Sequence, residues 1–114
     1  MTLFTGQRAF IVQRLSALVV LAYLAGGALW LALGPTPTFA QWRAWSAQPL
    51  AAATVLLLAA AVFGHAWVGV RDVVIDYVRP LGLRVAVLGM AAATLAGLST
   101  WTLLILVAHL LAVA

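Results

Sequence analysis

The chain of 114 residues has no cysteine and very little charge. Without thiolates it can close no disulfide and ligate no iron–sulfur cluster, so any such centre would have to belong to a partner protein. Charged residues make up 7% of the sequence against 67% hydrophobic, and the mean hydropathy is +1.18. A soluble bundle needs a polar face on every helix, and that scarcity of charge denies it one. The basic residues are few and divided between the ends of apolar segments, which excludes a nucleic-acid surface. A glycine-rich nucleotide fingerprint, a Ser/His/Asp arrangement, a metallohydrolase pattern, an internal repeat and a low-complexity tract are all missing as well.

What the sequence does have is three apolar runs free of Asp, Glu, Lys and Arg, at residues 15–33, 50–70 and 85–107. About 20 apolar residues in a helix cross roughly 30 Å of hydrocarbon, and helices satisfy their own backbone groups in lipid. The expected fold is therefore all-α: one membrane-anchor domain over residues 1–114, with transmembrane helices at about 15–33, 50–78 and 84–110. The first run follows Arg8 and Arg14 and precedes Thr38-Phe39-Ala40, an outline that loosely resembles a secretory signal. It is too long for a signal's apolar core and reads as a retained helix.

Arginine placement sets the orientation. With three spans, Arg8, Arg14, Arg71, Arg79 and Arg84 share one side, and Arg43 alone occupies the other. The N-terminus is then cytoplasmic and the C-terminus lies on the opposite side. Gly34-Pro35-Thr36-Pro37 ends the first helix and Pro49 opens the second. Between them Trp42 and Trp45 fall on one side of a short interfacial turn. Pro80-Leu81-Gly82 makes the second break. Gly89, Ala93 and Gly97 form a small-residue stripe that suits close approach of a neighbour, inside this chain or outside it.

Residues 65–80 are the most informative stretch. On one helix, Asp72 falls about 20° behind His65 and Asp76 about 20° ahead of it. His65, Gly69, Asp72 and Asp76 therefore share a polar stripe running from membrane depth to the water boundary. His65 sits about five residues, or roughly 8 Å, inside the end of the apolar run. An imidazole there either finds a neighbouring carbonyl or binds a metal, as an axial haem ligand does. Gly69, one turn on, would leave room for a flat macrocycle. His109 should differ from His65 in depth by roughly 28 Å, too far for one iron to join them. A second ligand would have to come from another polypeptide, and His109 reads as an interfacial polar residue. Tyr77 points about 120° away from His65, so the two would serve adjoining sites. Its phenol is either a membrane-interface tyrosine or a donor to a carbonyl oxygen, as a quinone pocket requires. Asp76 and Arg79 have the i, i+3 spacing of a surface ion pair, and Asp72 is expected to pair with Arg71.

His65-Ala66-Trp67-Val68-Gly69 followed by Asp76-Tyr77-Val78-Arg79-Pro80-Leu81 resembles the signature of the small hydrophobic membrane-anchor (D) subunit of succinate dehydrogenase, respiratory complex II. Phe10-Ile11-Val12-Gln13-Arg14-Leu15-Ser16-Ala17 and the three-helix plan extend the likeness. Arg71-Asp72 departs from it, since uncharged residues can occur there. The resemblance implies a bacterial inner-membrane subunit that packs with a second three-helix anchor (cytochrome b) subunit and docks an iron–sulfur and a flavoprotein subunit. It implies a b-type haem shared with the second anchor, and a quinone, with ubiquinone favoured over menaquinone. By matching position, His65 would be the axial haem ligand and Tyr77 the quinone-binding phenol. Asp76 would order that site or supply protons, and Arg14 would contact a haem propionate or the quinone pocket. Alone, such a chain is not catalytic.

Three other kinds of protein share parts of this pattern: the anchor of a different quinone-linked oxidoreductase, a small homo-oligomeric transporter subunit, and a structural assembly subunit without haem. A transporter predicts an ionisable residue near the bilayer midplane. Here the acids lie at the rim, and the first apolar run has none.

Overall fold

The computed structural model describes residues 6–114, so the first five residues of the expected 1–114 domain lie outside the described part. Four helices follow one another: α1 (Gln7–Leu33), α2 (Phe39–Ser46), α3 (Pro49–Tyr77) and α4 (Leu81–Val113). Helices α1, α3 and α4 are each long and apolar enough to cross a membrane. There is no strand among the described residues.

Local chemistry sets each boundary. Gly6 enters α1 at φ 57, a left-handed conformation that glycine adopts without steric cost. Helix α1 begins well before the apolar run and so carries Arg8 and Arg14 on its own surface. At its other end, the Gly34 N–H donates to the Trp30 carbonyl at 3.1 Å. A Cβ on Gly34 would lie 2.9 Å from that oxygen, so this close is open only to glycine. Helix α2 starts with a capping box: Thr38 N–H donates to Gln41 Oε1 at 2.9 Å, and Gln41 N–H donates back to Thr38 Oγ1 at 3.3 Å. The Trp42 and Trp45 rings lie on one side of it, 5.2 Å apart. Pro49 occupies the first turn of α3, where its missing N–H costs nothing.

The break between α3 and α4 is held from both sides. Arg79 precedes Pro80, which biases it away from the helical region, and Val78 is already extended. That leaves carbonyls at the end of α3 without helical partners. Arg84, one turn into α4, reaches back to them. Its Nε–H donates to the Val78 oxygen at 3.0 Å and its Nη2 to the Ile75 oxygen at 3.2 Å.

Helix α3 packs against both α1 and α4, and α2 also rests on it. The molecule measures 52 × 29 × 22 Å. Its buried positions are small: Ala9, Ser16, Ala51, Ala52, Ala61, Val68 and Val74. Lipid tails are as apolar as leucine, so helices in a bilayer gain little from hiding apolar surface. Short side chains instead let the backbones come close enough for van der Waals contact and cross-helix hydrogen bonds. Val68, only 1% exposed, marks where α3 is most enclosed. Leucines such as Leu18, Leu21 and Leu24 face outward. The small-residue stripe of α4 faces outward too. Gly89, Ala93 and Gly97 are exposed, and a Cβ on either glycine would meet nothing within 4 Å. The neighbour that this stripe suits is therefore not within the described part of this chain.

Candidate functional site

The site begins where α3 crosses the first turns of α1. His65, half-buried, turns its Nδ1 toward α1, 3.3 Å from the Gln13 carbonyl oxygen and 3.2 Å from Ser16 Oγ. A carbonyl oxygen can only accept, so a hydrogen bond to Gln13 requires the proton on Nδ1, which in that tautomer donates to both oxygens. The Ser16 hydroxyl spends its own hydrogen on the same Gln13 carbonyl, at 3.0 Å, which leaves it as an acceptor toward the ring. Nε2 at the ring tip therefore holds a lone pair, and no group among the described residues hydrogen-bonds it. The two readings of His65 open from sequence are thus compatible. One nitrogen is satisfied by a neighbouring carbonyl, while the other keeps the chemistry of a metal ligand.

Gly69 faces α1: a Cβ built there would lie 3.6 Å from Nε2 of the Gln13 amide, an ordinary van der Waals contact. The same amide has its Oε1 buried with no hydrogen-bond partner among the described residues, an oxygen still able to accept a donor.

Further along α3 the polar stripe emerges. Asp72 and Asp76 are exposed, and the Arg71 guanidinium donates to Asp72 Oδ1 from Nη2 at 2.8 Å and from Nε at 3.0 Å. The expected pairing of Asp76 with Arg79 does not form, because α3 ends at Tyr77 and Arg79 stands outside the helix that would set the i, i+3 spacing. Asp76 directly precedes Tyr77, which is 80% exposed at the last helical position. Arg14 is exposed on α1, next to Gln13. Its guanidinium carbon lies 5.1 Å from the centre of the Phe10 ring, a cation–π contact, and it has no carboxylate partner among the described residues.

His109 is at the other end. Its Nε2 lies 2.9 Å from Ser46 Oγ at the end of α2, and that hydroxyl donates to the Arg43 carbonyl at 3.0 Å. From Pro49, just past Ser46, to His65 is about 24 Å of helix, so the two histidines cannot share a metal. No three metal-binding side chains gather anywhere among the described residues. A cavity of about 440 Å³ also lies at the α2 end, between Tyr23, Gly26, Gly27, Trp30, Trp42 and Trp45, remote from His65. Sequence reasoning missed Gln13 and Ser16 as companions of His65, although both lie within the N-terminal segment 10–17 that carried the resemblance.

These features define a class: a small multi-pass helical membrane subunit whose polar groups gather toward the α1 start and the α3 end. The chain belongs to the family of succinate dehydrogenase/fumarate reductase transmembrane subunits, which matches it over residues 4–106. It is similar to the succinate dehydrogenase hydrophobic membrane anchor subunit of Coxiella burnetii (strain RSA 493 / Nine Mile phase I), at 26% identity over 98 residues. The likeness covers 86% of this chain and 85% of that protein.

Proposed function

We propose that this chain anchors a succinate:quinone oxidoreductase in the bacterial inner membrane, contributing one axial ligand to a b-type haem and part of the quinone-reduction site. The observation that carries the reading is the state of His65: Nδ1–H tied to α1, Nε2 with a free lone pair, in the interior of a membrane span. A metal-ligating histidine commonly donates its other N–H to a fixed oxygen in this way. One imidazole is what this chain offers, so the second ligand comes from a second three-helix anchor subunit. When bound, the haem would supply a one-electron store, held by His65 from this chain.

The arginine-rich side faces the cytoplasm, where the flavoprotein and iron–sulfur subunits dock. Quinone reduction takes two electrons and two protons. The exposed Tyr77 phenol donates a hydrogen bond to a quinone oxygen and holds the ring in place, with ubiquinone the favoured substrate. Asp76, exposed next to it, passes protons from the adjoining water. Arg14, near the start of α1, offers a cation without a carboxylate partner among the described residues, suited to a propionate or to the quinone pocket.

Purifying the chain in mild detergent with its companions, followed by a reduced-minus-oxidised spectrum, tests this. A low-spin b-type signal, together with a flavoprotein and an iron–sulfur protein, is expected. A colourless homo-oligomer would contradict it.

A further inference from the structure

The assignment of His65 names a ligand but not what holds that ligand ready. A free histidine in a membrane interior has two tautomers and a freely turning ring, and in only one tautomer does the ring-tip nitrogen carry a lone pair. Two oxygens from one turn of α1 remove that freedom. The Gln13 carbonyl, 3.3 Å from Nδ1, cannot donate and so demands a proton there. Ser16 Oγ, 3.2 Å from Nδ1, accepts the same proton, and it is oriented to accept because its own hydrogen goes to the Gln13 carbonyl at 3.0 Å. Ser16 is itself buried, 9% exposed, so water does not replace it as the acceptor. The buried hydroxyl therefore serves two partners, the α1 backbone and the α3 ring.

We infer that Ser16 is the positioning residue for His65: with the Gln13 carbonyl it fixes the Nδ1–H tautomer, aims Nε2 away from α1, and sets the electron richness of the nitrogen that binds iron. This rests on the reading of His65 as the haem ligand. Donation from Nδ1–H to an oxygen draws the proton off the ring and makes Nε2 a stronger donor, which favours ferric over ferrous iron. Taking away the Ser16 hydroxyl leaves only the longer bond to Gln13, and Nε2 donates less.

The test uses the complete membrane-extracted complex, with potentiometric titration of the haem and low-temperature paramagnetic resonance of the oxidised state. Ser16→Ala is expected to raise the midpoint potential and shift the low-spin resonance. Ser16→Thr, which keeps a hydroxyl able to bond the preceding turn, is expected to return both toward wild type. His65→Ala is measured alongside. If it abolishes the low-spin signal while Ser16→Ala changes neither quantity, the role of Ser16 is overturned and the ligand assignment stands. Equal shifts in the Ala and Thr variants also overturn it, since the hydroxyl would then be irrelevant. If His65→Ala leaves the haem intact, the ligand assignment falls and this inference with it. Should Ser16→Ala fail to assemble, Ser16→Cys takes its place, keeping the volume and substituting a weak sulfur acceptor. The same upward shift is expected, and an unchanged potential would overturn the proposal.

Discussion

The two histidines are held by the same device at opposite ends of the molecule. Each ring faces a serine whose hydroxyl donates to the carbonyl three residues earlier, Ser16 to Gln13 and Ser46 to Arg43. At His65 the tied nitrogen is Nδ1, beside the backbone, and the ring tip is left free. At His109 the tied nitrogen is Nε2, and Nδ1 is the one left over. The ring-tip nitrogen is thus left as a ligand atom at His65 and is engaged at His109. Depth separates them too: His65 lies on α3 against the first turns of α1, whereas His109 meets the end of α2 close to the C-terminus. The lesson is that a serine partner alone says nothing about function. Which nitrogen it occupies does.

The sharpest way to break this contrast is to delete each ring in turn. His65→Ala should abolish the low-spin haem spectrum of the purified complex, and His109→Ala should leave that spectrum unchanged. A smaller effect is expected at Tyr77. Tyr77→Phe should slow quinone reduction by about tenfold, the worth of one hydrogen bond of about 1.4 kcal/mol, with the haem spectrum retained. Steady-state rates with a soluble quinone analogue would decide it, and normal kinetics would remove the phenol from the site.

Two further changes probe the arginine-rich end without touching the ligand. Arg84→Ala releases the carbonyls of Ile75 and Val78. It should cost about 1–3 kcal/mol, seen as a lower thermal midpoint of the detergent-solubilised complex. Asp72→Asn should be nearly silent in the same assay, at about 0.5 kcal/mol or less, because Asp72 itself is 52% exposed and screened by water, although Arg71 is only 17% exposed.

Much of the architecture was legible in the sequence, and the reason is physical. A bilayer demands long apolar helices, so the three uncharged runs announced α1, α3 and α4, and the prolines near residues 35, 49 and 80 announced their ends. The Trp42–Trp45 contact and the Arg71–Asp72 pair followed from neighbouring positions. What escaped depends on which helix faces which. Ser16 and His65 are 49 positions apart, and no periodicity within either helix brings them together. The Gln13 amide over Gly69 and the back-reaching Arg84 were hidden for the same reason. Asp76–Arg79 failed differently. Its spacing assumed a helix that stops before Arg79, where the approach to Pro80 turns the chain out of register.

The most direct measurement is a density map of the complete detergent-purified complex at a resolution that shows the His65 ring. The account predicts unbroken density from the ring-tip Nε2 to a porphyrin iron, with Nδ1 still bonded to Ser16 and Gln13 and the sixth ligand supplied by another subunit. A map in which Nε2 meets only lipid or protein, with the iron held elsewhere, would contradict it.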